Sequence, residues 1–439
     1  MSFDITSLIK NDGALCPACG RVHRGKLRDC VIGDDAINAL PALIQKYGGT
    51  RAFVLCDIDT YKAAGEAVTK VLDGAKIPYD LHVIERTHPV PDERTVGEAV
   101  MYCRADDDIV VAVGGGVIND TAKIVASAKN VPDIIVGTAP SMDGFASATS
   151  SMERGGLKVS LDSKCPDAVI GDTAVLASAP KHLIRSGVGD MLAKYVSIAE
   201  WRISNVINGE YYCPYVASLV EESLAKVVRN ADGALHGDKN AVAAVMEGLV
   251  VSGLTMNYAG VSRPASGMEH YISHITDMRA LEFGTPSDYH GIQCGIAALT
   301  VVREYKKLAR LTPDREKALA AVASFDAEKW NCHLRERLGK AAEKLIELDK
   351  TERKYDLEKH ASRLERIIAN WDKIKEIIAS LPDPDELERF MKSIGHPTEP
   401  EEIGLTKEDW REAFDMAKDI RDKYVLGKLM WDMGIEKSE

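Results

Sequence analysis

Three histidines and one aspartate are the side chains best suited to bind a divalent metal. His270 and His274 are four residues apart in SRPASGMEHYISH, so they share one face of a predicted helix. His290 begins another predicted helix, and Asp190 lies at the start of a helix in GVGDMLAKY. Imidazoles with a carboxylate suit Zn²⁺, Fe²⁺ or Ni²⁺, and three protein ligands would leave one position open for a substrate. The wide spacing leaves the alternative that these are ordinary helix-face histidines.

A glycine-rich turn, GGGVIND at residues 114–120, follows a predicted strand and opens a predicted helix. Glycines let backbone N–H groups approach a pyrophosphate, and a helix N-terminus favours the anion. The turn lacks the GxGxxG spacing and follows the fourth strand rather than the first. It therefore predicts either a nucleotide-binding turn or an ordinary tight turn.

The segment GTAPSMDGFASATSSM, at residues 137–152, consists mostly of small and polar residues and has one carboxylate, Asp143. Such a segment is poorly suited to a hydrophobic core. Binding residues are concentrated in loops held by a rigid scaffold, so we predict a ligand-facing loop. A plain surface connection is the alternative.

Six short apolar runs predict the strands that position these loops. Several of the runs are continuous, with Gly, Pro or Asp at their ends, as is typical of buried parallel strands. Helix-like segments lie between them, which predicts an α/β sheet with helices on both faces. The runs cover residues 28–34, 51–57, 78–84, 107–116, 132–140 and 166–172.

After about residue 175 the pattern is helical. Residues 220–235 form a clear amphipathic helix, and the strongly charged residues 313–380 are interpreted as helices with solvated faces. We therefore predict an N-terminal extension, an α/β dinucleotide-binding domain and an all-α domain. Their predicted ranges are 1–27, 28–178 and 179–439.

Composition excludes several classes of protein. The 439 residues include 55 Lys and Arg and 67 Asp and Glu, a net charge of −12. This balance argues against nucleic acid as the main partner. We find no run approaching the ~20 apolar residues of a membrane span and no signal peptide. Nine cysteines are too sparse for a disulfide scaffold, so we expect a cytoplasmic protein with reduced thiols.

The ordered motifs together resemble those of bacterial glycerol-1-phosphate dehydrogenases. The matching segments are GGGVIND, TAPSMDGFASATSS, VIGDT, GVGDMLAK, SRPASGMEHYISH and HGIQCG. That family belongs with the iron-containing alcohol dehydrogenases, glycerol dehydrogenases and dehydroquinate synthases. The resemblance spans about residues 28–310 and implies an α/β nucleotide-binding domain, a helical domain and an active site in the cleft between them.

The resemblance also implies a reaction and its cofactors. The reaction is the reversible reduction of dihydroxyacetone phosphate to sn-glycerol 1-phosphate. It would use NAD(H) or NADP(H) and one divalent metal, either Zn, Ni or Fe, in a homodimer. The substrate would be a small phosphorylated triose or polyol.

The resemblance assigns roles to particular residues. The metal ligands match Asp190, His270 and His290. The pyrophosphate-binding turn matches Gly114, Gly115, Gly116 and Asp120, and the cofactor-facing part of the next loop matches Thr138 and Ser141. Asp143 matches a catalytic carboxylate near the nicotinamide and the substrate hydroxyl. Asp57 matches the adenosine end of the cofactor, where a carboxylate favours a free ribose 2′-hydroxyl and hence NAD.

The contacts to substrate are open to alternatives. His274 is predicted to line the pocket as a substrate contact or proton relay, unless a neighbour satisfies it. Arg263 is the candidate for the substrate phosphate because a guanidinium binds that group bidentately, but a structural arginine is equally consistent. Lys194 is another candidate anion contact. Lys123 is interpreted as a surface charge.

The N-terminal motif CPACGRVH is extra to the family pattern. Cys16, Cys19 and His23, with Cys30 as the fourth candidate, could form a small zinc site. Cys30 begins a predicted strand, which weakens it as a ligand. A reduced thiol pair is the alternative.

Three other functions were weighed against the dehydrogenase. A cyclase like dehydroquinate synthase would use the same cofactors, but Asp190, where a synthase is expected to have glutamate, and SRPASGMEH favour the dehydrogenase. A glycerol dehydrogenase would act on an unphosphorylated polyol and differ in one anion pocket. A non-catalytic binding protein would have lost a metal ligand or the glycine turn, and the sequence retains both.

Overall fold

The computed structural model describes residues 5–10 and 12–435. Its strands are β1 Asp29–Gly33, β2 Ala52–Asp57, β3 Tyr79–Ile84, β4 Ile109–Gly114, β5 Asp133–Gly137, β6 Thr149–Arg154, β7 Leu157–Asp162 and β8 Ala168–Asp172. The helices up to the start of the helical half are α1 Ile5–Lys10, α2 Leu40–Lys46, α3 Ile58–Thr60, α4 Glu66–Gly74, α5 Glu93–Tyr102, α6 Gly116–Lys129, α7 Thr173–Ala177 and α8 Lys181–Leu192.

The remaining helices follow one another without an intervening strand in the described residues. They are α9 Lys194–Asn208, α10 Pro214–Leu235, α11 Lys239–Ala259, α12 Met268–Phe283, α13 His290–Leu308, α14 Arg315–Ala323, α15 Ala327–Leu338, α16 Ala342–Glu352, α17 Leu357–Ala369, α18 Trp371–Ala379, α19 Pro384–Ser393, α20 Lys407–Met416 and α21 Leu426–Asp432. Aspartates cap many helix starts by accepting backbone N–H groups, as Asp383 does before α19.

All six predicted strands are present and form one parallel sheet in the order β1-β8-β5-β4-β2-β3. The central strand β4 is buried along its whole length. Valine and isoleucine side chains of β2, β4, β5 and β8 pack with helices α2 and α4 into a continuous core. Because the strands are parallel, their carboxyl ends and the loops that follow them lie along one edge of the sheet.

A small antiparallel hairpin is present that the apolar pattern does not predict. Strands β6 and β7 pair from Thr149 to Asp162, so the end of the predicted loop at 137–152 is a strand. Gly155 and Gly156 form the connection with φ of +62° and +73°, which glycine adopts without a Cβ clash. The serines and threonine of β6 do not produce the apolar pattern that identified the other strands.

The chain divides into two compact units. The first contains Met1–Met191 and Tyr215–Val261, and the second contains Leu192–Pro214 and Ser262–Glu439. The first unit therefore holds the sheet together with α10 and α11. The predicted boundary near residue 178 marks the end of the strands, whereas the boundary between compact units lies elsewhere along the chain.

Helix α11 is more apolar than inspection of the sequence indicated. Among the described residues it is long and apolar enough to cross a membrane by length and composition, and 78% of the relevant window is buried within the protein. It packs against β1 and α7 of the first unit. A core helix has these properties.

The charged residues 313–380 are not only solvated faces. In the second unit α17 buries Leu364 and Ile367, and Arg363 makes two hydrogen bonds to the buried carboxylate of Asp432, at 2.7 and 2.8 Å. Lys354 pairs with Asp349 at 2.7 Å. Part of this charge therefore lies inside the packed unit, which the local sequence pattern did not reveal.

Candidate functional site

The glycine turn lies at the carboxyl end of β4 in the first unit. Gly115 caps α6, and the carbonyl of Gly114 accepts the Thr138 N–H at 3.2 Å. A Cβ at Gly114 would lie 2.7 Å from the Ile118 side chain, so only glycine fits there. The first turn of α6 presents backbone N–H groups, an arrangement suited to a phosphate.

The loop after β5 lies beside this turn. A Cβ added at Gly115 would lie 3.8 Å from the Ser141 hydroxyl. A Cβ added at Gly116 would lie 3.7 Å from the Met142 side chain. Thr138 and Ser141 are both buried. The structure thus brings together Gly114, Gly115, Gly116, Thr138 and Ser141, as the resemblance implies for a dinucleotide site.

Asp120 and Lys123 form part of the scaffold of this turn. Asp120 accepts the Ser151 N–H at 2.9 Å and pairs with Lys123 at 3.0 Å. Lys123 is fully buried and donates to the carbonyls of Gly144 and Thr149, at 3.2 and 2.6 Å. The interpretation of Lys123 as a surface charge is therefore wrong, because its ammonium ties α6 to the following loop and to β6.

Asp57 lies at the carboxyl end of β2, on the same edge of the sheet. Its Oδ1 accepts the N–H groups of Asp59 and Thr60, at 3.0 and 2.8 Å, and so caps α3. A role at the cofactor ribose stays a prediction. If Asp57 contacts the ribose, it does so while its Oδ1 also caps α3.

Asp143 and Asp190 are neighbours within the first unit, and Asp190 lies near the end of α8 rather than at the predicted helix start. The Asp190 carboxylate accepts the Asp143 backbone N–H at 2.8 Å, and Asp143 Oδ2 accepts the hydroxyl of Ser252 at 2.9 Å. Both aspartates are buried, Asp190 completely. The contact brings together the predicted catalytic carboxylate and the predicted carboxylate ligand of the metal.

Sequence reasoning missed the residues that hold this pair in place. Ser252 lies on α11, and its neighbour Gly253 has no room for a side chain, because a Cβ would lie 2.5 Å from the Asp143 carbonyl. Gly187 on α8 faces the Pro140 carbonyl, which a Cβ would approach to 1.9 Å. Glycine within a helical pattern was the available signal, since it often marks a close backbone approach.

The three predicted histidines form a cluster in the second unit. The ring centroids of His270 and His290 are 4.9 Å apart, and those of His274 and His290 are 5.9 Å apart. Possible ligand atoms of His270, His290 and Cys294 all lie within 4.8 Å of one another. Cys294 was not singled out from the sequence, although it lies one helical turn after His290.

Acidic and polar groups orient two of these rings. The Glu269 carboxylate accepts from His270 Nδ1 at 2.9 Å and from the Gly267 N–H at 2.6 Å, which directs His270 Nε2 away from the pair. The Ser273 hydroxyl lies 3.1 Å from His290 Nδ1. Hydrogen bonds of this kind, to the ring nitrogen that does not face the metal, fix the orientation of metal-binding imidazoles.

Burial shifts the titration of this region. It lowers the pKa of His270 well below its ordinary value, so the ring is neutral at pH 7, the state that can bind a metal. Burial also raises the pKa of Glu269 and of nearby Glu200, and the Glu200 charge adds to the rise at Glu269. Glu200 in turn accepts the N–H of Met268, the first residue of α12.

Arg263 and Lys194 are engaged inside the second unit. Arg263 is buried, makes two hydrogen bonds to Glu210, at 2.8 and 2.6 Å, and donates to the Tyr424 carbonyl. Lys194 is fully buried and donates to the Ala265 carbonyl at 2.9 Å. These contacts favour structural roles for both residues over the predicted contacts to substrate.

A basic cavity in the second unit is separate from the histidine cluster. Its volume is about 520 Å³, and its lining includes Arg353, Arg366 and Arg421 but none of the three histidines. Several of its other basic side chains are paired with acids, as Arg363 is with Asp432. The chemistry of the site therefore points to the histidine cluster rather than to this cavity.

Comparison with known proteins agrees with this arrangement. The family described as iron-containing alcohol dehydrogenase matches residues 31–180. The iron-containing alcohol dehydrogenase of Thermotoga maritima has a similar fold, with 18% identity, a TM-score of 0.58, and 92% of this chain and 96% of that chain covered. Glycerol dehydrogenase of Schizosaccharomyces pombe also has a similar fold, with 18% identity and a TM-score of 0.56. The match covers 84% of this chain and 92% of that chain. The fold is that of the iron-containing alcohol dehydrogenases.

Sequence relatives narrow the class. A protein of Bacillus velezensis is 31% identical over 403 residues, 91% of this chain and 90% of its own length. A protein of Bacillus licheniformis is 29% identical over 436 residues, which cover 98% of this chain and 96% of its own length. Both are named glycerol-1-phosphate dehydrogenase, with NAD(P)+ in the name. The chain belongs to the glycerol-1-phosphate dehydrogenase family.

Proposed function

We propose that the protein catalyses the NAD(P)H-dependent reduction of dihydroxyacetone phosphate to sn-glycerol 1-phosphate, and the reverse reaction. The observation that carries this proposal is the match over 91% of the chain to a relative whose name states this dehydrogenase activity. The glycine turn and all three residues assigned to the metal by resemblance are present. A glycerol-type or cyclase reaction has no specific observation in its favour.

The histidine cluster fits a divalent metal. His270 and His290 have ring centroids 4.9 Å apart, and His270 is held through Nδ1 so that its Nε2 is available for coordination. We propose that His270 Nε2, a ring nitrogen of His290 and the Asp190 carboxylate hold the ion. Zn²⁺, Ni²⁺ and Fe²⁺ all suit such a donor set, and metal supply often decides among them. Cys294 is the competing ligand, because its sulfur lies among the same donor atoms.

When bound, the metal would supply Lewis-acid polarisation of the substrate carbonyl, and the nicotinamide would supply the hydride. Glu269 orients His270, and Ser252 orients Asp143 through its hydroxyl. Asp143 would then contact the substrate hydroxyl near the nicotinamide. His274 is the proposed substrate contact or proton relay.

The first unit would bind the cofactor along the carboxyl edge of its sheet. Backbone N–H groups at Gly115 and Gly116 and the start of α6 would contact the pyrophosphate. Thr138 and Ser141 would face the cofactor beside that turn. Asp57 at the end of β2 would accept from the adenosine ribose, which favours NAD over NADP.

The buried contacts of Arg263 leave the group that binds the substrate phosphate unassigned. We further propose that the protein is a homodimer and that it is located in the cytoplasm with reduced thiols. A chain of −12 net charge also gives no basis for a nucleic-acid partner.

The experiment that tests the function is NADH and NADPH oxidation with three carbonyl substrates. These are dihydroxyacetone phosphate, dihydroxyacetone and glyceraldehyde 3-phosphate. The protein is first stripped of metal and then resupplied separately with Zn²⁺, Ni²⁺ or Fe²⁺. We expect metal-dependent oxidation with dihydroxyacetone phosphate, faster with NADH than with NADPH.

Other outcomes would redirect the proposal. Oxidation with dihydroxyacetone alone would indicate a dehydrogenase for an unphosphorylated polyol. No oxidation with any substrate and metal would contradict the dehydrogenase function and favour a cyclase that regenerates its own cofactor. Full activity in the stripped protein would contradict the metal requirement.

A further inference from the structure

The N-terminal motif CPACGRVH contributes three side chains to a second cluster of possible metal ligands. Possible ligand atoms of Cys16, Cys19, His23 and Cys213 all lie within 4.8 Å of one another. Cys16, His23 and Cys213 are more than nine-tenths buried. Three sulfurs and one imidazole at this spacing match the Cys₃His set of structural zinc sites.

A short turn brings Cys16 and Cys19 together. The Cys16 N–H donates to the Arg21 carbonyl and the Gly20 N–H donates to the Cys16 carbonyl, each at 2.8 Å. Gly20 has a φ of +71°, which glycine adopts readily and which closes the turn directly after Cys19. The backbone therefore places both sulfurs on one side of the turn without help from a ligand.

His23 is held in the tautomer that a metal requires. Its Nδ1 lies 2.7 Å from the Tyr258 carbonyl oxygen, and its Nε2 lies 3.4 Å from the Cys19 sulfur. Because a carbonyl can only accept, Nδ1 carries the proton, and the lone pair of the neutral ring is on Nε2. The ring also stacks between Tyr258 and Tyr215, with centroids 5.7 and 6.3 Å away.

Cys213 is set by helix α10, which it immediately precedes. Cys213 precedes by two residues the point, Tyr215, at which the chain re-enters the first unit, and Cys16, Cys19 and His23 lie in that unit. Cys213 is fully buried. About 190 residues separate it from His23, so local spacing favours Cys30 rather than this cysteine as the fourth candidate ligand.

Cys30 is not a member of this cluster. It lies on β1, and its sulfur is not among the four clustered ligand atoms. Burial raises the pKa of its thiol, which disfavours the thiolate that binds metals. It serves as a matched control for the cysteines that are in the cluster.

We propose that Cys16, Cys19, His23 and Cys213 bind one Zn²⁺ in a structural site. Thiolate ligands select zinc over hard ions, and four protein ligands leave no position for a substrate. The ion would fasten the N-terminal segment to the end of α11, where Tyr258 lies, and to the start of α10. Because Ser252 on α11 supports Asp143, the site would stabilise the scaffold behind the proposed catalytic carboxylate without touching the reactants.

The test separates this site from the histidine cluster by its sulfur ligands. Zinc content is measured in the whole protein and in the His270→Ala/His290→Ala variant. The metals are then exchanged for Co²⁺, whose near-ultraviolet charge-transfer absorption reports thiolate ligands. We expect one zinc per chain to remain in the double-histidine variant, and thiolate-to-cobalt absorption that persists when Cys294→Ser is added. A folded double-histidine variant that contains no zinc would overturn the proposal.

Cysteine variants then test the ligand set. Cys16→Ser/Cys19→Ser and Cys213→Ser should each lose the remaining zinc or most of the thiolate absorption, whereas Cys30→Ser should keep both. Retention of full absorption in Cys16→Ser/Cys19→Ser would contradict the proposal.

If these variants fail to fold, the unaltered protein still decides the question. Titrating its thiols with a mercurial should release one zinc per chain in step with thiol modification, detected with a metal-binding dye. Release of no zinc would overturn the proposal. Since none of these readouts uses turnover, they are independent of the proposed dehydrogenase reaction.

Discussion

At the level of single residues, the buried His270 and the partly buried His290 carry the proposed metal site. His270→Ala or His290→Ala should remove the metal and abolish turnover, while NADH binding by the first unit stays largely intact. Metal content, turnover and NADH fluorescence titration measure the three properties. Turnover that survives without bound metal would contradict the ligand assignment.

Glu269 is a positioning residue for His270. Glu269→Ala removes Oε1, the single oxygen that accepts from both His270 Nδ1 and the Gly267 N–H. We expect metal affinity to fall about 10–100-fold, a typical cost of losing such a contact. Competition with a chromophoric chelator measures it. Glu282→Ala, on the same helix, is the control and should leave affinity unchanged.

Asp57 combines two roles, so the choice of substitution matters. Asp57→Asn keeps an acceptor oxygen for the start of α3 but removes the charge that we propose faces a ribose hydroxyl. We expect KM for NAD to rise several-fold, about 1 kcal/mol, and KM for NADP to rise less or fall. Equal changes for both cofactors would exclude Asp57 from the ribose site.

At the level of elements, close backbone approaches position the loop at residues 138–146. Gly187→Ala would place a Cβ 1.9 Å from the Pro140 carbonyl, and backbone atoms cannot move aside cheaply. We expect a loss of about 1–3 kcal/mol in stability and a lower kcat, because the loop carries Asp143. Thermal unfolding and steady-state kinetics measure these effects.

Gly97→Ala is the matched control for this prediction. Gly97 also lies within a helix, α5, but no atom lies within 4 Å of its added Cβ. Alanine there should stabilise the protein by about 0.5–1 kcal/mol. A Gly187→Ala variant as stable and active as Gly97→Ala would contradict the proposed packing.

The elements themselves were largely predictable from local sequence. Short apolar runs identified all six strands of the parallel sheet, and several runs are continuous because strands buried on both faces contain few polar residues. The β6–β7 hairpin escaped detection because its residues are small and polar. The sequence likewise did not reveal that α11 is buried. Only its packing within the first unit shows that its long apolar segment is part of a protein core.

For the whole molecule, stability should depend on pH through Asp133. Burial, aided by the Asp167 charge, raises the pKa of Asp133 from 3.8 to about 7 in the folded protein. Its protonated form is favoured by folding, so this contribution is present below pH 4 and is lost as the pH rises towards 7. The slope is at most about 1.4 kcal/mol per pH unit.

Asp133→Asn should remove this slope. We expect the variant to gain stability relative to the unaltered protein as the pH rises from 4 to 8, measured by denaturant unfolding. Asp108→Asn gives the opposite sign. Burial raises its pKa, but hydrogen bonds from Thr50 and Arg51 outweigh this and lower it. Relative to the unaltered protein, the Asp108→Asn variant should therefore lose stability as the pH rises through 3.8, the ordinary Asp value, and the difference should be constant above about pH 5. Parallel pH profiles for the two variants would contradict both assignments.

The sequence by itself determined the strands, the glycine turn and the pair of histidines one helical turn apart. These depend on residues close along the chain, whose hydrophobic periodicity and spacing can be read directly from the sequence. The tertiary structure alone decided that Lys123 is buried, that Arg263 pairs with Glu210 and that Cys213, not Cys30, joins the N-terminal cluster. Each of these depends on groups brought together across tens to hundreds of residues, and such contacts leave no local pattern.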